Sequence, residues 1–563
     1  MTGHAPLPDT GGSEAAPRAE RTPTELDRLA EQWMDALLEL EPELHVELGR
    51  PGREGQYADL SPDGHAGHAG AARRMLAQVR ATEPADEVDR VTRAELIRTL
   101  DLAVEQHEAG FWQRDLNVIA SPAQGLRDIF DLMSTDTPED WEHIALRMQN
   151  LPDAMDGYLA SLRAGIEAGN TPAIRQVTEV LAQARKQSGA GSFFAALAAR
   201  APEPQRPALE TAAGAAIGAY ERLADFLEHE LSQKATPADA VGREIYQLAS
   251  RHFTGMEVDL EETYAWGVEE LTRMVEEQER IAQEILPGAG VGEAIAYLES
   301  DSSMQLEGTE ALRAWMQEVS DRAIAELGAT HFDIPEPLRR IECMIAPTDE
   351  GGIYYTPPSE DFARAGRMWW SVPAGVTRFD TWRELTTVYH EGVPGHHLQT
   401  GLALYQRGRL NAWRRFNWNS GHGEGWALYA ERLMDELGYL GTPAERLGML
   451  DGQRMRAARV VLDIGVHLGL PKPDGTGTWT GDDAFPFLAQ HVNMNEGFVR
   501  FEANRYLGWP GQAPSYKVGQ REWERLRDDW IARNGRDLKR FHAEALALGS
   551  VGLGTLRQAL LGS

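Results

Sequence analysis

The chain has 563 residues, 42% hydrophobic and 25% charged, which can form a large folded core but leaves the number of domains open. With 87 acidic and 55 basic residues its formal net charge is -32, a field that repels nucleic-acid phosphates and anionic lipid surfaces. We therefore expect neither nucleic acid nor a membrane as a partner. One cysteine, Cys343, excludes an intramolecular disulfide and a thiolate cluster, so a metal would need nitrogen and oxygen ligands.

The first 21 residues are polar and rich in Gly, Pro, Ala and Glu. Such low apolar content cannot offset the entropy of ordering, so we expect residues 1–21 to be a disordered tail. The stretch lacks the basic and then apolar pattern of a secretory signal, and no apolar run approaches the roughly 20 residues of a membrane span. The sequence therefore predicts a cytoplasmic location.

Residues 22–335 have the composition of helices. A first helix start is indicated at 22–25, where Thr22 can cap, and similar Thr-Pro signals occur at Thr137, Thr171 and Thr236. Each is followed by a stretch rich in Ala, Leu, Glu, Arg and Gln. This region is predicted to be almost wholly α-helical.

The pattern changes after Pro335. Residues 338–345, 352–356 and 368–372 are short, contain β-branched or aromatic residues, and are bounded by Pro or Gly, which predicts a small sheet. Residues 368–373 could form an edge strand that pairs with an extended substrate, with Trp370 as a contact; a buried tryptophan is the alternative. Helical composition returns after residue 380, so the fold is predicted to be mainly α.

A histidine-rich segment follows the predicted sheet and begins His390-Glu391. In the usual zinc-hydrolase helix two ligand histidines are four residues apart, with the general base directly after the first. Here His390 and His396 are six apart, a step of about 240° and about 9 Å in a regular helix, which separates their faces. The intervening Pro394-Gly395 predicts a kink that brings them together. His397 is the alternative second ligand.

About thirty residues later, an apolar helix opens with Glu424, which we predict as the third metal ligand. Glu431 and His422 are the rival candidates, and Glu431 could instead accept a hydrogen bond that orients a ligand imidazole. Glu391 is predicted to be the general base, accepting a proton from water that the metal acidifies. The expected cofactor is one zinc ion, with cobalt or manganese left open.

The stretch 505–519 combines Gly and Pro with aromatic and basic residues, and we expect an irregular turn there. Tyr516 is the candidate oxyanion donor. Arg505 or Lys517 could pair with a substrate carboxylate, and Tyr506 lies in the same stretch as a candidate substrate contact. A packed tyrosine or a surface cation is the alternative for each.

These motifs resemble the bacterial family known as domain of unknown function 885 (DUF885). Its marks are a His-Glu-x-x-Pro-Gly-His-His segment, a Glu-Gly-Trp-Ala helix and a late Pro-Gly-Gln-Ala-x-Ser-Tyr-Lys-x-Gly stretch, and all three occur here in order. The chain is also distantly similar to zinc carboxypeptidases of the carboxypeptidase Taq type. In that comparison Gly395-His396 matches their Gly-His and 514–516 matches their late Pro-Ser/Thr-Tyr.

The resemblance implies a large helical metallopeptidase-like fold with a deep central groove, the metal at its floor and a small sheet beside the metal helix. Residues 22–335 would form one wall and 336–563 the catalytic region, as one continuous unit. The implied function is a zinc-dependent amide-bond hydrolase, a carboxypeptidase-type metallopeptidase acting on short peptides. The alternatives are a hydrolase of a non-peptide amide or modified amino acid, and a non-catalytic helical protein with a structural or vestigial metal site. The oligomeric state stays open.

Overall fold

Capped, Ala- and Glu-rich helices make up most of the architecture. The computed structural model describes residues 21–346 and 352–562, so the predicted tail, apart from Arg21, lies outside the described residues. The helices of the N-terminal part are α1 (Glu25–Leu40), α2 (Glu43–Glu47), α3 (Pro62–Ala81), α4 (Glu87–Glu108), α5 (Pro122–Asp128), α6 (Pro138–Ala168), α7 (Ile174–Ser188), α8 (Phe193–Arg200), α9 (Arg206–His229), α10 (Arg243–Thr254), α11 (Leu260–Ile285), α12 (Val291–Ser300) and α13 (Thr309–Thr330). The prediction of a mainly α fold is confirmed.

The described residues also contain five short strands: the first precedes α13, and the other four lie between α13 and the C-terminal helices. The strands are β1 (Gln305–Glu307), β2 (Ile341–Ile345), β3 (Ile353–Thr356), β4 (Gly366–Trp370) and β5 (Arg378–Asp380). The remaining helices are α14 (Thr381–Glu391), α15 (His396–Tyr405), α16 (Ala412–Phe416), α17 (Ser420–Glu436), α18 (Pro443–Leu468), α19 (Ala484–His491), α20 (Glu496–Gly508), α21 (Gln512–Asn534), α22 (Leu538–Leu546) and α23 (Leu553–Leu561). Within the described residues, no helix is long and apolar enough to cross a bilayer.

The helix starts predicted from Thr-Pro pairs are partly right. Thr137 caps α6 with Asp140 completing the capping box, but α1 is capped by Thr24 rather than Thr22. Thr236 does not start a helix: its backbone N–H donates to the carbonyl of Pro172 at 3.0 Å, and α10 begins only at Arg243. Thr236 therefore pairs in an extended conformation with the distant segment at Pro172, and this pairing prevents it from capping a helix.

The predicted small sheet is present, but its strand order differs from expectation. β4 lies in the middle of a three-stranded sheet, parallel to β2 and antiparallel to β3. The expectation that residues 368–373 form an edge strand is therefore wrong, because both sides of β4 are already paired. Trp370 is 3% exposed and packs in the core. The edge next to the cavity described below is β3.

The largest apolar core is built around α14, α17, α18 and α21. Four tryptophans lie fully buried within it, Trp382, Trp426, Trp523 and Trp530. Each large aromatic side chain removes about 150–250 Å² from water, so these four stabilise the packing of the helices that carry the histidine motif. A separate cluster joins α1, α3 and α4 to Trp413 on α16, so apolar packing crosses the predicted boundary at residue 335. The division into two regions stays a prediction.

A buried carboxylate connects the N-terminal helices to the C-terminus. Glu95 on α4 accepts hydrogen bonds from the backbone N–H of Gly552 at 3.0 Å and the hydroxyl of Thr555 at 2.6 Å, and it pairs with Arg98. It also accepts from Asn417. Burial alone would raise the pKa of Glu95, but Arg98 and these hydrogen bonds outweigh it and lower the pKa to about 2.

We expect Glu95→Gln to destabilise the protein by about 3 kcal/mol near neutral pH, since the pKa lies roughly two units below that of an unfolded glutamate. A depressed native pKa means that this stabilisation is present above about pH 5 and is lost as the pH falls towards 2. Urea denaturation at several pH values measures it. Glu87→Gln, at an exposed position of α4, is the control; equal pH profiles for Glu95→Gln and the native chain would contradict the assignment.

Candidate metal centre

The histidine-rich segment is split into two helices. α14 ends at Glu391 and α15 begins at His396, so the predicted kink is a complete break. Across it, the backbone N–H of Gly395 donates to the carbonyl of Tyr389 at 3.1 Å. A Cβ atom on Gly395 would overlap the carbonyl oxygen of His390, so only glycine allows this close return of the chain.

The break brings His390 and His396 together, and α17 adds Glu424. The two imidazole centroids are 4.9 Å apart, and Glu424 Oε2 lies 3.3 Å from His390 Nε2 and 3.7 Å from His396 Nε2. One candidate ligand atom from each residue falls within 4.8 Å of the others. Tetrahedral ligands at about 2.1 Å from zinc are separated by roughly 3.4 Å, so this buried group could hold one such ion.

The Gly-Trp part of the α17 motif explains how Glu424 reaches the histidines. A Cβ on Gly425 would come within 2.5 Å of the Gly519 backbone, so the two glycines allow α17 and α21 to approach closely. Trp426 donates its indole N–H to the carbonyl of Pro394 at 2.8 Å. The helix that carries Glu424 is thus fixed both to α21 and to the break between α14 and α15.

The centre is arranged to stabilise a positive charge. His390 Nδ1 donates to Glu431 Oε1 at 2.8 Å, while the other Glu431 oxygen accepts from Thr386 at 2.9 Å. Burial lowers the pKa of His390, but its hydrogen bonds with Glu424 and Glu431 outweigh burial and raise that pKa to about 10. Burial raises the pKa of Glu424, but its hydrogen bonds with His390 and His396 outweigh burial and hold that pKa well below its usual range. Glu431 also fixes the ring so that Nε2 faces Glu424.

The alternative ligands lie elsewhere. His397 accepts from the Tyr355 hydroxyl at 2.8 Å through Nδ1 and donates to the Leu338 carbonyl at 2.9 Å through Nε2, so both of its nitrogens are engaged at the sheet. His422 is fully buried and packs edge-on against Trp523. Neither belongs to the three-residue group.

A cavity of about 480 Å³ opens on the centre. It also contains Glu391, whose carboxylate has no hydrogen-bond partner among the described residues, and burial raises its pKa. Tyr516 lies on the same wall, with the guanidinium carbon of Arg459 5.0 Å from the centre of its ring. The remaining lining includes Gln399, Thr400, Ala403, Leu404, Phe416, Trp418, Arg456 and, from the β3 side, Ile353, Tyr354 and Tyr355.

Four residues predicted to contact substrate do not line this cavity. Trp370 is in the core, and Tyr506 bonds to Glu502 and Arg459. Arg505 binds Glu502 at 3.0 Å and Gln512 at 2.6 Å. Lys517 is buried against Glu270 at 3.0 Å and against two glutamines. The expected irregular turn is also mostly helical, because α20 continues to Gly508 and α21 starts at Gln512.

Sequence reasoning did not identify three polar residues that line the cavity, Gln399, Arg456 and Arg459. Arg456 and Arg459 are three apart on α18 and Gln399 is three after His396 on α15, so each pair shares a helix face. The three-residue spacing between His396 and Gln399 was the only feature of the sequence that could have predicted that Gln399 lies near the centre. For the arginines, no motif separates cavity-facing from surface cations.

Together, the fold and the centre define a mainly helical protein in which two histidines and a glutamate form a candidate metal site. The chain belongs to the DUF885 family, described as bacterial protein of unknown function, whose family model matches residues 42–560. No curated protein matches it.

Solved structures share the fold. A "putative lipoprotein" from Colwellia psychrerythraea is 20% identical with a TM-score of 0.82, covering 95% of this chain and 98% of that one. A "putative lipoprotein of unknown function" from Shewanella oneidensis is 17% identical with a TM-score of 0.72, covering 96% and 100%. A carboxypeptidase of Pyrococcus furiosus is 11% identical with a TM-score of 0.43, covering 96% of each chain, a likeness too slight to bear on function.

We expect Gly395→Ala to separate the two histidines, because its Cβ would overlap the His390 carbonyl. Zinc affinity, measured by competition with a chromophoric chelator, should fall at least tenfold, and the thermal midpoint should drop. Gly218→Ala on α9, where a Cβ meets no atom within 4 Å, is the matched control. It should leave the zinc affinity unchanged and should not lower the thermal midpoint, because alanine is the better helix former. Unchanged zinc affinity in Gly395→Ala would show that the close return is not required.

Proposed function

We propose that the protein is a zinc-dependent amide-bond hydrolase, a metallopeptidase of the carboxypeptidase type acting on short peptides. The observation that carries this proposal is the convergence of His390, His396 and Glu424 beside the unbonded carboxylate of Glu391 in one cavity. A non-catalytic structural site has no need for a cavity or an adjacent carboxylate without partners. The cavity volume of about 480 Å³ suits a short peptide or a small amide.

The donor set of two imidazoles and one carboxylate fits a zinc ion that keeps one position open. The chemistry supplied by bound zinc is Lewis acidity, which acidifies water and polarises an amide carbonyl. Glu391 accepts the proton of the attacking water, whose oxygen bonds to the carbonyl carbon. Tyr516 donates its phenol to the oxyanion that develops. The C–N bond then breaks, and the leaving amine takes the proton that Glu391 holds.

Hydrolysis of a non-peptide amide or a modified amino acid uses the same groups. The peptide-library digestion described below tests peptide cleavage directly.

For location, the cytoplasm expected from the sequence stays a prediction. The description of two structural relatives as lipoproteins supports an association with the cell envelope instead. Fractionation of cells that produce the full-length chain distinguishes the two.

We expect Glu424→Gln to lose metal. The amide side chain is a poorer zinc ligand than a carboxylate and removes a negative charge from a buried centre, so occupancy after dialysis should fall by at least tenfold. Elemental analysis of the purified protein measures it. The matched control is Glu436→Gln, at the end of the same helix, where the carboxylate pairs with Arg527. Native occupancy in Glu424→Gln would refute the ligand assignment.

Glu391→Gln should keep its metal and lose turnover. Removing a general base typically costs about 10²–10⁴-fold in rate, whereas the metal ligands are unaffected. The measurement is digestion of a peptide library by the zinc-loaded protein, read by mass spectrometry, with Glu391→Gln run in parallel. If both proteins cleave equally, or if neither cleaves any peptide while zinc is bound, the proposed peptidase function fails.

A further inference from the structure

Gln399 is a buried polar side chain without a partner. It is 3% exposed and lines the cavity, yet neither its amide oxygen nor its amide nitrogen has a hydrogen-bond partner among the described residues. Burying both groups unpaired costs free energy, so their presence at this place indicates a ligand that supplies the missing bonds. An amide side chain that donates and accepts at once is complementary to a peptide group.

Arg456 is a cation without a fixed anion. Its guanidinium lines the same cavity, its Nε is buried, and it forms no hydrogen bond or ion pair with any described residue. Its positive charge lowers the pKa of both Glu391 and Glu431, as expected for a cation close to the carboxylates of the centre. An unpaired guanidinium at the wall of a buried cavity is suited to bind a carboxylate in a two-bond pair.

Arg459, one turn further along α18, cannot take this role equally well. Its guanidinium already donates to Glu502 at 2.8 Å and to the Tyr506 hydroxyl at 2.6 Å, so its charge is balanced within the protein. Its position beside Tyr516 makes it a support for that side chain. Arg415, the third arginine in the described lining, pairs with Glu360 at 2.6 Å. Of the arginines described in the lining, Arg456 is therefore the one available to a substrate.

The cavity changes character along α15. His396, Gln399, Thr400, Ala403 and Leu404 line it at helical spacing, so the lining runs from the metal centre to small and apolar side chains about 10 Å away. Phe416 and Leu48 add apolar surface to the lining. This part of the cavity suits an apolar acyl group or side chain, whereas the part at Arg456 suits an anion.

We propose that Arg456 is the specificity-determining residue, which binds the free α-carboxylate of the substrate, and that Gln399 pairs with a neighbouring peptide group. The substrate class is then an amide with an apolar acyl part and a leaving amine that carries a carboxylate, such as an N-acylated dipeptide. This inference rests on the proposed function, because it places the scissile amide between Arg456 and the apolar lining, at the metal centre.

Binding of an intact ligand tests the inference without turnover. The probes are N-acetyl-Phe-Phe and its C-terminal carboxamide, titrated by calorimetry into the zinc-loaded full chain carrying Glu391→Gln. We expect the acid to bind roughly tenfold or more tightly than the carboxamide, as for other charge-assisted hydrogen bonds. Adding Arg456→Gln should remove this preference, and Arg456→Lys should keep part of it.

Arg446→Gln is the matched control, since Arg446 lies on the same helix but pairs with Glu284 at the surface. It should preserve the preference for the acid. Gln399→Leu should weaken both probes alike, because its partner is the peptide group common to them. In the chain with native Glu391, Arg456→Gln should raise KM for the acid while kcat is largely kept.

Three results overturn the inference: no preference for the acid in the parent protein, a preference that persists in Arg456→Gln, or an equal loss of both probes in Arg456→Gln. If circular dichroism shows that Arg456→Gln does not fold, Arg456→Lys is the deciding variant. A lysine cannot form the two parallel hydrogen bonds of a guanidinium with a carboxylate. Full retention of the preference for the acid in Arg456→Lys, with unchanged affinity for both probes, would therefore contradict the inference. Since these are binding data, failure of the hydrolase proposal appears separately, as equal cleavage by the native chain and Glu391→Gln.

Discussion

The close return of the backbone at Gly395 is the constraint on which the candidate centre depends. In a continuous helix, residues six apart face different directions, and His390 and His396 could not share an ion. The break removes that conflict but leaves backbone groups at the two helix ends without partners inside a helix. Neighbouring side chains supply some of the missing hydrogen bonds. Trp426 donates to the Pro394 carbonyl within the break, and it comes from the helix that carries Glu424. The same local feature thus positions all three residues of the group.

Three glutamates surround the two histidines of the centre, and each has a different set of partners. Glu424 faces both imidazoles, Glu431 holds the far side of His390, and Glu391 stays without a hydrogen-bonding partner. Carboxylates at these positions repel one another unless a cation lies among them, which explains why the pKa of His390 is raised so far in spite of burial. Arg456 contributes a further positive charge that acts on both Glu391 and Glu431. The acidity of the whole chain, with its net charge of -32, is therefore not a guide to the character of the cavity.

Motif spacing predicted the parts of the site that lie close together in sequence. The sequence indicated the break from Pro394-Gly395, and the small sheet and most helices follow from composition. Partners from distant segments could not be predicted in this way. Lys517 was expected to face substrate, but Glu270, on a helix nearly 250 residues earlier, holds it in the interior. Likewise, nothing local to Trp370 shows that its strand is paired on both sides.

Gly425 and Gly519 bring the backbones of α17 and α21 into contact beside the candidate metal centre. Gly425 adjoins Glu424, and Gly519 follows Tyr516 by three residues, so the two helices touch backbone to backbone beside both functional groups. A side chain at either glycine would push the two helices apart. The distance between Glu424 and Tyr516 therefore depends on two hydrogen atoms standing where any other residue has a carbon.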